Sequence, residues 1–290
     1  MSDFVLPVDK PVGPTSHDVV ARARRALGEK RVGHTGTLDP FASGLLLLCV
    51  GRATRLAEFL SGLDKTYIAD VMLDAFTDTD DRTGQRITET DAWRSIDEAR
   101  VRAALAHFTG TISQVPPAYS AKKVQGERSY RAARRGEELE LQPVQVTIHG
   151  LRLLHYEPPL VRVEVDCSSG TYIRALARDI GAFLGTGGYL LELRRTRVGE
   201  VGVERAVTLE QLEDRDAVSG HAMRPLEALR HIPRVDVDAV TVDRLRHGQR
   251  VPIEQPVEEG TVAVASDNEL IAVATMKDGV LHPRKVFSEA

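Results

Sequence analysis

Among the 42 acidic residues, Asp39 stands apart by its setting. It lies within Gly33-His-Thr-Gly-Thr-Leu-Asp-Pro-Phe-Ala-Ser-Gly44, where glycines, a proline and small polar residues fix an irregular backbone that continues neither a helix nor a strand ladder. Pro40 restricts the chain on the far side of the acid, and Thr37 can satisfy local polar groups. A rigid loop presenting one acid is a catalytic device. Arg174 raises a second question, because it falls in the first turn of a helix whose apolar face reads Ile173, Leu176, Ala177, Ile180 and Leu184. A cation there opposes the helix dipole, so the helix gains nothing from it and another partner is implied. Asp39 fits that need. Tyr67 stands at the mouth of a strand behind Asp64-Lys65. Further on, Lys122, Lys123, Arg128, Arg131, Arg134 and Arg135 are answered by the single acid Glu127, with Tyr119 and Tyr130 among them. A basic stretch with two tyrosines and little core suits contact with RNA through phosphates and stacking.

These groups need scaffolding. Residues 45–50, Leu-Leu-Leu-Leu-Cys-Val, form an unbroken apolar run ended by Gly51, apt for a buried strand that pins the Asp39 loop to a core. Residues 4–8 predict a strand entering a Pro-Val-Gly-Pro turn at 11–14. Thr15-Ser16 offers an N-cap for a helix with Val19, Val20, Ala23 and Leu27 inward, and its Arg22, Arg24 and Arg25 lean toward a phosphate-binding role. Tyr67, Ala69, Val71 and Leu73 alternate as one face of a strand. Thr77-Asp-Thr-Asp-Asp81 lacks the glycine and distal glutamate of a calcium loop and reads as a solvated turn. Ser95-Ile-Asp-Glu98 reads as a capping box before a scaffold helix. Residues 144–148 and 161–167 alternate as neighbouring half-buried strands, and Leu190, Leu191 and Leu193 precede a basic strand end. After Ile232-Pro233 the pattern becomes a short helix at 241–247 and three strands joined by Asp267-Asn268 and Asp278-Gly279 turns, a small β domain.

With 42% hydrophobic residues, the 290-residue chain can bury a full core and has room for one large and one small domain. Lys and Arg total 38, for a formal net charge of −4, so only local clusters support nucleic-acid binding. Cys49 and Cys167 sit in apolar surroundings and read as buried thiols of a reducing compartment, and no Cys or His spacing suggests a metal. No stretch approaches a membrane span, and Met-Ser-Asp-Phe lacks a basic region followed by an apolar one. A cytoplasmic protein without membrane contact is expected.

Four ordered strings resemble the motifs of the TruB family of pseudouridine synthases: Asp9-Lys-Pro-Val-Gly13, the Asp39 loop, Gly170-Thr-Tyr-Ile-Arg174 preceded by Cys167-Ser, and Leu193-Arg-Arg195. Together they span roughly residues 5–200. The resemblance implies an α+β fold, with a mixed, mainly antiparallel sheet, flanking helices and an RNA-gripping insertion at about 114–143. It implies a catalytic domain at 1–232 and a PUA-like β domain at 233–290. The activity implied is isomerisation of uridine-55 in the tRNA T-loop by base flipping, with tRNA as the partner, no metal or cofactor, no obligatory protein partner and a monomeric state. By the same resemblance Asp39 is the essential acid, nucleophile or base; Arg174 pairs with it and depresses its pKa; Tyr67 packs on the base. Leu193 shapes the pocket, His34 wedges into the RNA, Lys10 and Arg55 are basic positions near the site, and Arg131, Arg134 and Arg135 grip RNA. Two other readings compete: the guide-RNA-dependent branch typified by dyskerin, and an RNA-binding chaperone that does not need Asp39.

Overall fold

The apolar run at 45–50 forms the strand Ser43–Val50 and pairs antiparallel with Phe4–Lys10, from Phe4 opposite Val50 to Lys10 opposite Gly44. The computed structural model describes residues 3–117, 141–254 and 256–287, and the backbone of 123–124 and 127–128. The expected RNA-gripping cluster, Arg131, Arg134 and Arg135 included, lies outside them. Eight strands lie side by side in one sheet, in the order Val207–Thr208, Phe4–Lys10, Ser43–Val50, Tyr189–Val198, Lys65–Met72, Leu160–Cys167, Val144–Glu157 and Gly110–Gln114. Two of these pairings are parallel, Val207–Thr208 on Phe4–Lys10 and Tyr189–Val198 on Ser43–Val50; the other five are antiparallel. The sheet is thus mixed and mainly antiparallel, as expected.

Helices cover the sheet where their apolar stripes dictate. Ile173, Leu176, Ala177, Ile180 and Leu184 of the helix Ile173–Leu184 join Val101, Ala104 and Leu105 of the helix Glu98–His107 in one core with Ala69, Val71, Val163 and Val165 of the strands. The helix Ser16–Leu27 buries Val19, Val20 and Ala23 against Leu6, Val8, Leu46 and Leu48. Its N-cap is Thr15, in a reciprocal box with Asp18, and Gly28 closes it in the left-handed conformation. The second helix starts differently from the sequence expectation. Asp97, not Ser95, is its N-cap and accepts from the Arg100 N–H at 2.8 Å, because a short turn at Ala92–Ser95 uses the serine first.

Behind the helix Ile173–Leu184 runs a seam without room for side chains. A Cβ at Gly181 would lie 2.1 Å from the Gly187 carbonyl oxygen, and one at Gly187 would lie 2.3 Å from the Ala75 backbone. Five further strands form a second sheet, in the order Arg234–Asp236, Gly260–Ser266, Glu269–Lys277, Val280–Val286 and Val251–Pro252. Its turns are those anticipated: Asp267, Asn268, Asp278 and Gly279 all have positive φ. Ala263, Leu270 and Val273 of this sheet pack with Val5, Leu45 and Leu229 of the larger unit.

Candidate active site

The ends of the Asp39 loop are strand residues, contrary to the irregular backbone expected there, with Gly33 and His34 opposite Cys49 and Leu48 and Ser43 and Gly44 opening the next strand; the stretch between is held by separate hydrogen bonds. The buried Ser16 hydroxyl accepts from the Leu38 N–H at 2.9 Å and donates to the Leu38 carbonyl at 3.1 Å, fixing the residue before the acid. Thr35 N–H bonds the Leu47 carbonyl, and Gly13 N–H bonds the Pro40 carbonyl. Sequence reasoning assigned Ser16 to capping; its role here requires a partner 22 residues away, which no local pattern encodes.

Arg174 reaches this loop from its helix. Its Nε lies 3.0 Å from Asp39 Oδ2, and its Nη1 lies 3.5 Å from Asp81 Oδ2 and 3.0 Å from the Thr79 carbonyl. The guanidinium is 7% exposed, Asp81 is 5% exposed and Asp39 is 37% exposed, so the catalytic candidate is the member of this trio open to a ligand. The implied pairing of two residues 135 positions apart is present. The turn at 77–81, expected to be solvated, is instead folded over the site with Asp80 and Asp81 buried. Asp81 Oδ1 accepts from the Thr83 backbone N–H and the Thr79 and Thr83 hydroxyls, while Asp80 pairs with Arg178 at 3.0 Å. The buried Arg174 and the partly buried Arg178, one turn apart on the helix Ile173–Leu184, draw these acids inward.

The electrostatic outcome also corrects an expectation. Arg174 does pull the Asp39 pKa down, but burial is the larger influence, and with the like charge of Asp81 it leaves the Asp39 carboxyl above the ordinary value despite Arg174 and Lys10. Lys10 is wholly buried, its Nζ donating to the Pro11 and Pro14 carbonyls at 2.9 Å, and burial lowers its pKa to about 8. It braces the 11–14 turn and acts on Asp39 through charge.

Asp39, Tyr67, Leu193 and Arg174 line one cleft of about 340 Å³, in the range of small-ligand sites. Tyr67 is buried and its phenol pKa is raised by that burial. Two further cations line the same cleft. Arg195 donates to the Leu45 and Gly36 carbonyls at 2.7 and 3.0 Å, and Lys65 Nζ donates to the Ser61 and Leu63 carbonyls, with its pKa lowered by burial to about 8. The basic strand end gave Arg195 away as a cation but not as one turned inward. Gly44 makes this possible: with φ +103° it lets the Arg195 backbone oxygen come to 2.2 Å from where a Cβ would stand.

His34 and Arg55 lie outside the cleft lining. His34 ends a short strand, edge-on to His17 at 5.5 Å, with a buried Nδ1 that has no hydrogen-bond partner among the described residues and a pKa lowered chiefly by burial. Arg55 is turned toward the second sheet, donating to the Val286 carbonyl and lying over the Phe287 ring at 5.5 Å. Arg24 donates to the Val32 carbonyl at 2.8 Å, and Arg22 faces Glu210 and Glu213, so two of the three helix arginines have partners within the protein. Among the described residues, no three His, Cys, Asp or Glu side chains gather to hold a metal, and no helix is long and apolar enough to cross a membrane.

Comparison with known proteins yields a consistent result. Residues 24–173 match the TruB family pseudouridylate synthase N-terminal domain, 174–232 the tRNA pseudouridylate synthase B C-terminal domain, and 233–287 the pseudouridine synthase II TruB C-terminal domain. The protein named tRNA pseudouridine synthase B from Thermobifida fusca is 45% identical over 99% of both chains. Its namesakes from Cupriavidus metallidurans and Aquifex aeolicus are 44% and 39% identical, covering 97% and 98% of this chain and 93% and 99% of theirs. Among solved structures, an H/ACA RNP bound to a substrate RNA containing 2'-deoxyuridine matches with a TM-score of 0.77 and 26% identity, over 99% of this chain and 85% of that one. An archaeal box H/ACA sRNP Nop10-Cbf5 complex matches with a TM-score of 0.75 at the same identity, over 99% of this chain and 86% of that one.

Proposed function

Because the chain belongs to the TruB family of pseudouridine synthases, we propose that it isomerises uridine to pseudouridine in tRNA, at uridine-55 of the T-loop, with Asp39 as the catalytic carboxylate. The single observation behind the assignment of Asp39 is the ion pair to Arg174 at 3.0 Å on the wall of an open cleft. The reaction breaks the C1′–N1 bond, turns the uracil, and joins C1′ to C5; the C5 hydrogen departs as a proton and N1 gains one. No redox change occurs. A uridine buried in a folded T-loop must be extruded to reach the cleft, and an extruded base needs an apolar and aromatic wall. Tyr67 and Leu193 supply that wall. Asp39 acts in its ionised form, as nucleophile or base, and Arg174 holds it in position and offsets part of the cost of burying its charge. Lys65 and Arg195 add positive potential along the cleft toward the anionic backbone of RNA. His34, outside the lining, serves as a wedge residue at the loop edge, and Arg131, Arg134 and Arg135 grip the tRNA. The second sheet is a PUA-like unit, and the enzyme acts as a single cytoplasmic chain.

The structural kinship to the H/ACA proteins makes guide dependence the reading to exclude. Purified protein is incubated with an unmodified tRNA transcript tritiated at uracil C5, without guide RNA, beside Asp39→Asn. Release by the wild type alone supports the stand-alone enzyme. Release only with added guide RNA selects the other branch, and binding without release in either protein selects a chaperone.

A further inference from the structure

We infer that Gln114 is a positioning residue for the proposed reaction, its carboxamide fixing the first turn of the helix that carries Arg174. This rests on the assignment of Asp39 and Arg174 above. Gln114 ends the edge strand Gly110–Gln114 and is wholly buried. Its Nε2 donates to the Tyr172 carbonyl at 3.1 Å, and its Oε1 accepts from the Tyr172 N–H at 2.9 Å. Only one amide orientation satisfies both bonds, so the side chain clamps the two backbone groups of a single residue.

Tyr172 is the N-cap of Ile173–Leu184, and its own side chain makes no capping bond. Its carbonyl already accepts the first helical bond, from Leu176 N–H at 3.1 Å, so Gln114 takes the second lone pair of the same oxygen. Arg174 follows two residues later. A helix start with neither a side-chain cap nor an acid in its first turn is free to fray, and here a residue 58 positions away holds it. Arg178, on the next turn, binds the carbonyl of Val115, the residue just past the strand, at 2.9 Å as well as Asp80, so the helix is met both at the strand's end and just beyond it. Losing the clamp frees the first turn, and the guanidinium loses its fixed distance to Asp39. The groups that then set the charge state of Asp39 are Arg174, Asp81 and Lys10, of which only Arg174 moves with the helix start.

The test is Gln114→Met, which keeps length and removes both bonds, beside Val146→Ala in the neighbouring strand as a control for general weakening. Val146 is buried and opposite Ile112 in the register. Single-turnover tritium release is expected to fall about 10²-fold in Gln114→Met, with tRNA affinity unchanged and the acid limb of the rate profile moved to higher pH. Val146→Ala should lower only the folded fraction and leave the limb in place. If Gln114→Met does not fold, Gln114→Glu, which sets an acceptor against the Tyr172 carbonyl, should slow turnover in the same sense. A wild-type rate, or a loss that tracks the folded fraction with an unmoved limb, overturns the inference while leaving Asp39 in place. Retained turnover in Asp39→Asn would instead overturn the assignment beneath it.

Discussion

The two sheets solve opposite problems. In the smaller one, Val235, Val262, Val264, Ala272, Ala274 and Leu281 form an apolar core, and no described polar or charged side chain after Arg195 is buried. In the larger, Lys10, Lys65, Asp80, Asp81, Arg174 and Arg195 are all buried around one cleft. Taking charges out of water costs more than pairing returns unless the geometry is closely matched, so such a cluster weakens a fold that apolar residues would strengthen. The contrast teaches where the chain gives up stability, and it does so at the Asp39 cleft.

Asp39→Asn should cut this contrast most sharply. Turnover should fall by about 10³-fold or more, while thermal unfolding stays the same or moves upward at neutral pH. The sign follows from the raised pKa: the native state favours the protonated carboxyl, so this residue's contribution to stability is present at low pH and is lost as pH rises through its folded value. A melting temperature below wild type at neutral pH would contradict that account of burial. Arg174→Met should next strike both properties at once, abolishing turnover and costing about 3–5 kcal/mol in denaturant unfolding, because Asp39 and Asp81 lose their shared cation. In the smaller sheet Leu281→Ala should cost about 2–5 kcal/mol with turnover per folded molecule intact; a matching loss of catalysis would erase the distinction between the units. The acid limb of wild-type turnover should lie above the ordinary aspartate value of 3.8, since Asp39 must be ionised and burial raises its pKa; a pH–rate profile locates it. Asn268→Ala, at φ 63°, should cost about 1 kcal/mol and nothing in rate.

The same contrast explains what the sequence made legible. Period-two alternation and turn chemistry are local, so the strands at 161–167 and 260–266 and the Asp267-Asn268 turn could be read directly. Asp39 and Arg174 emerged because a glycine-punctuated loop and a cation at a helix start are local anomalies. Ser16, Gln114 and Asp81 did not emerge. Each acts through a side chain bonded to a segment distant in sequence, and no local pattern encodes such a partner. The Asp39 pKa was misjudged for a related reason: a sequence suggests the partner but not how much protein surrounds the pair.

The glycine seam behind Ile173–Leu184 sets a limit on engineering this chain. Because Gly181 and Gly187 sit against backbone rather than against flexible side chains, even one added methyl group would wedge the helix away from the sheet and carry its arginine with it. Libraries meant to harden the fold by replacing glycine with alanine should leave these two positions untouched, however favourable a helix-interior alanine looks on propensity alone.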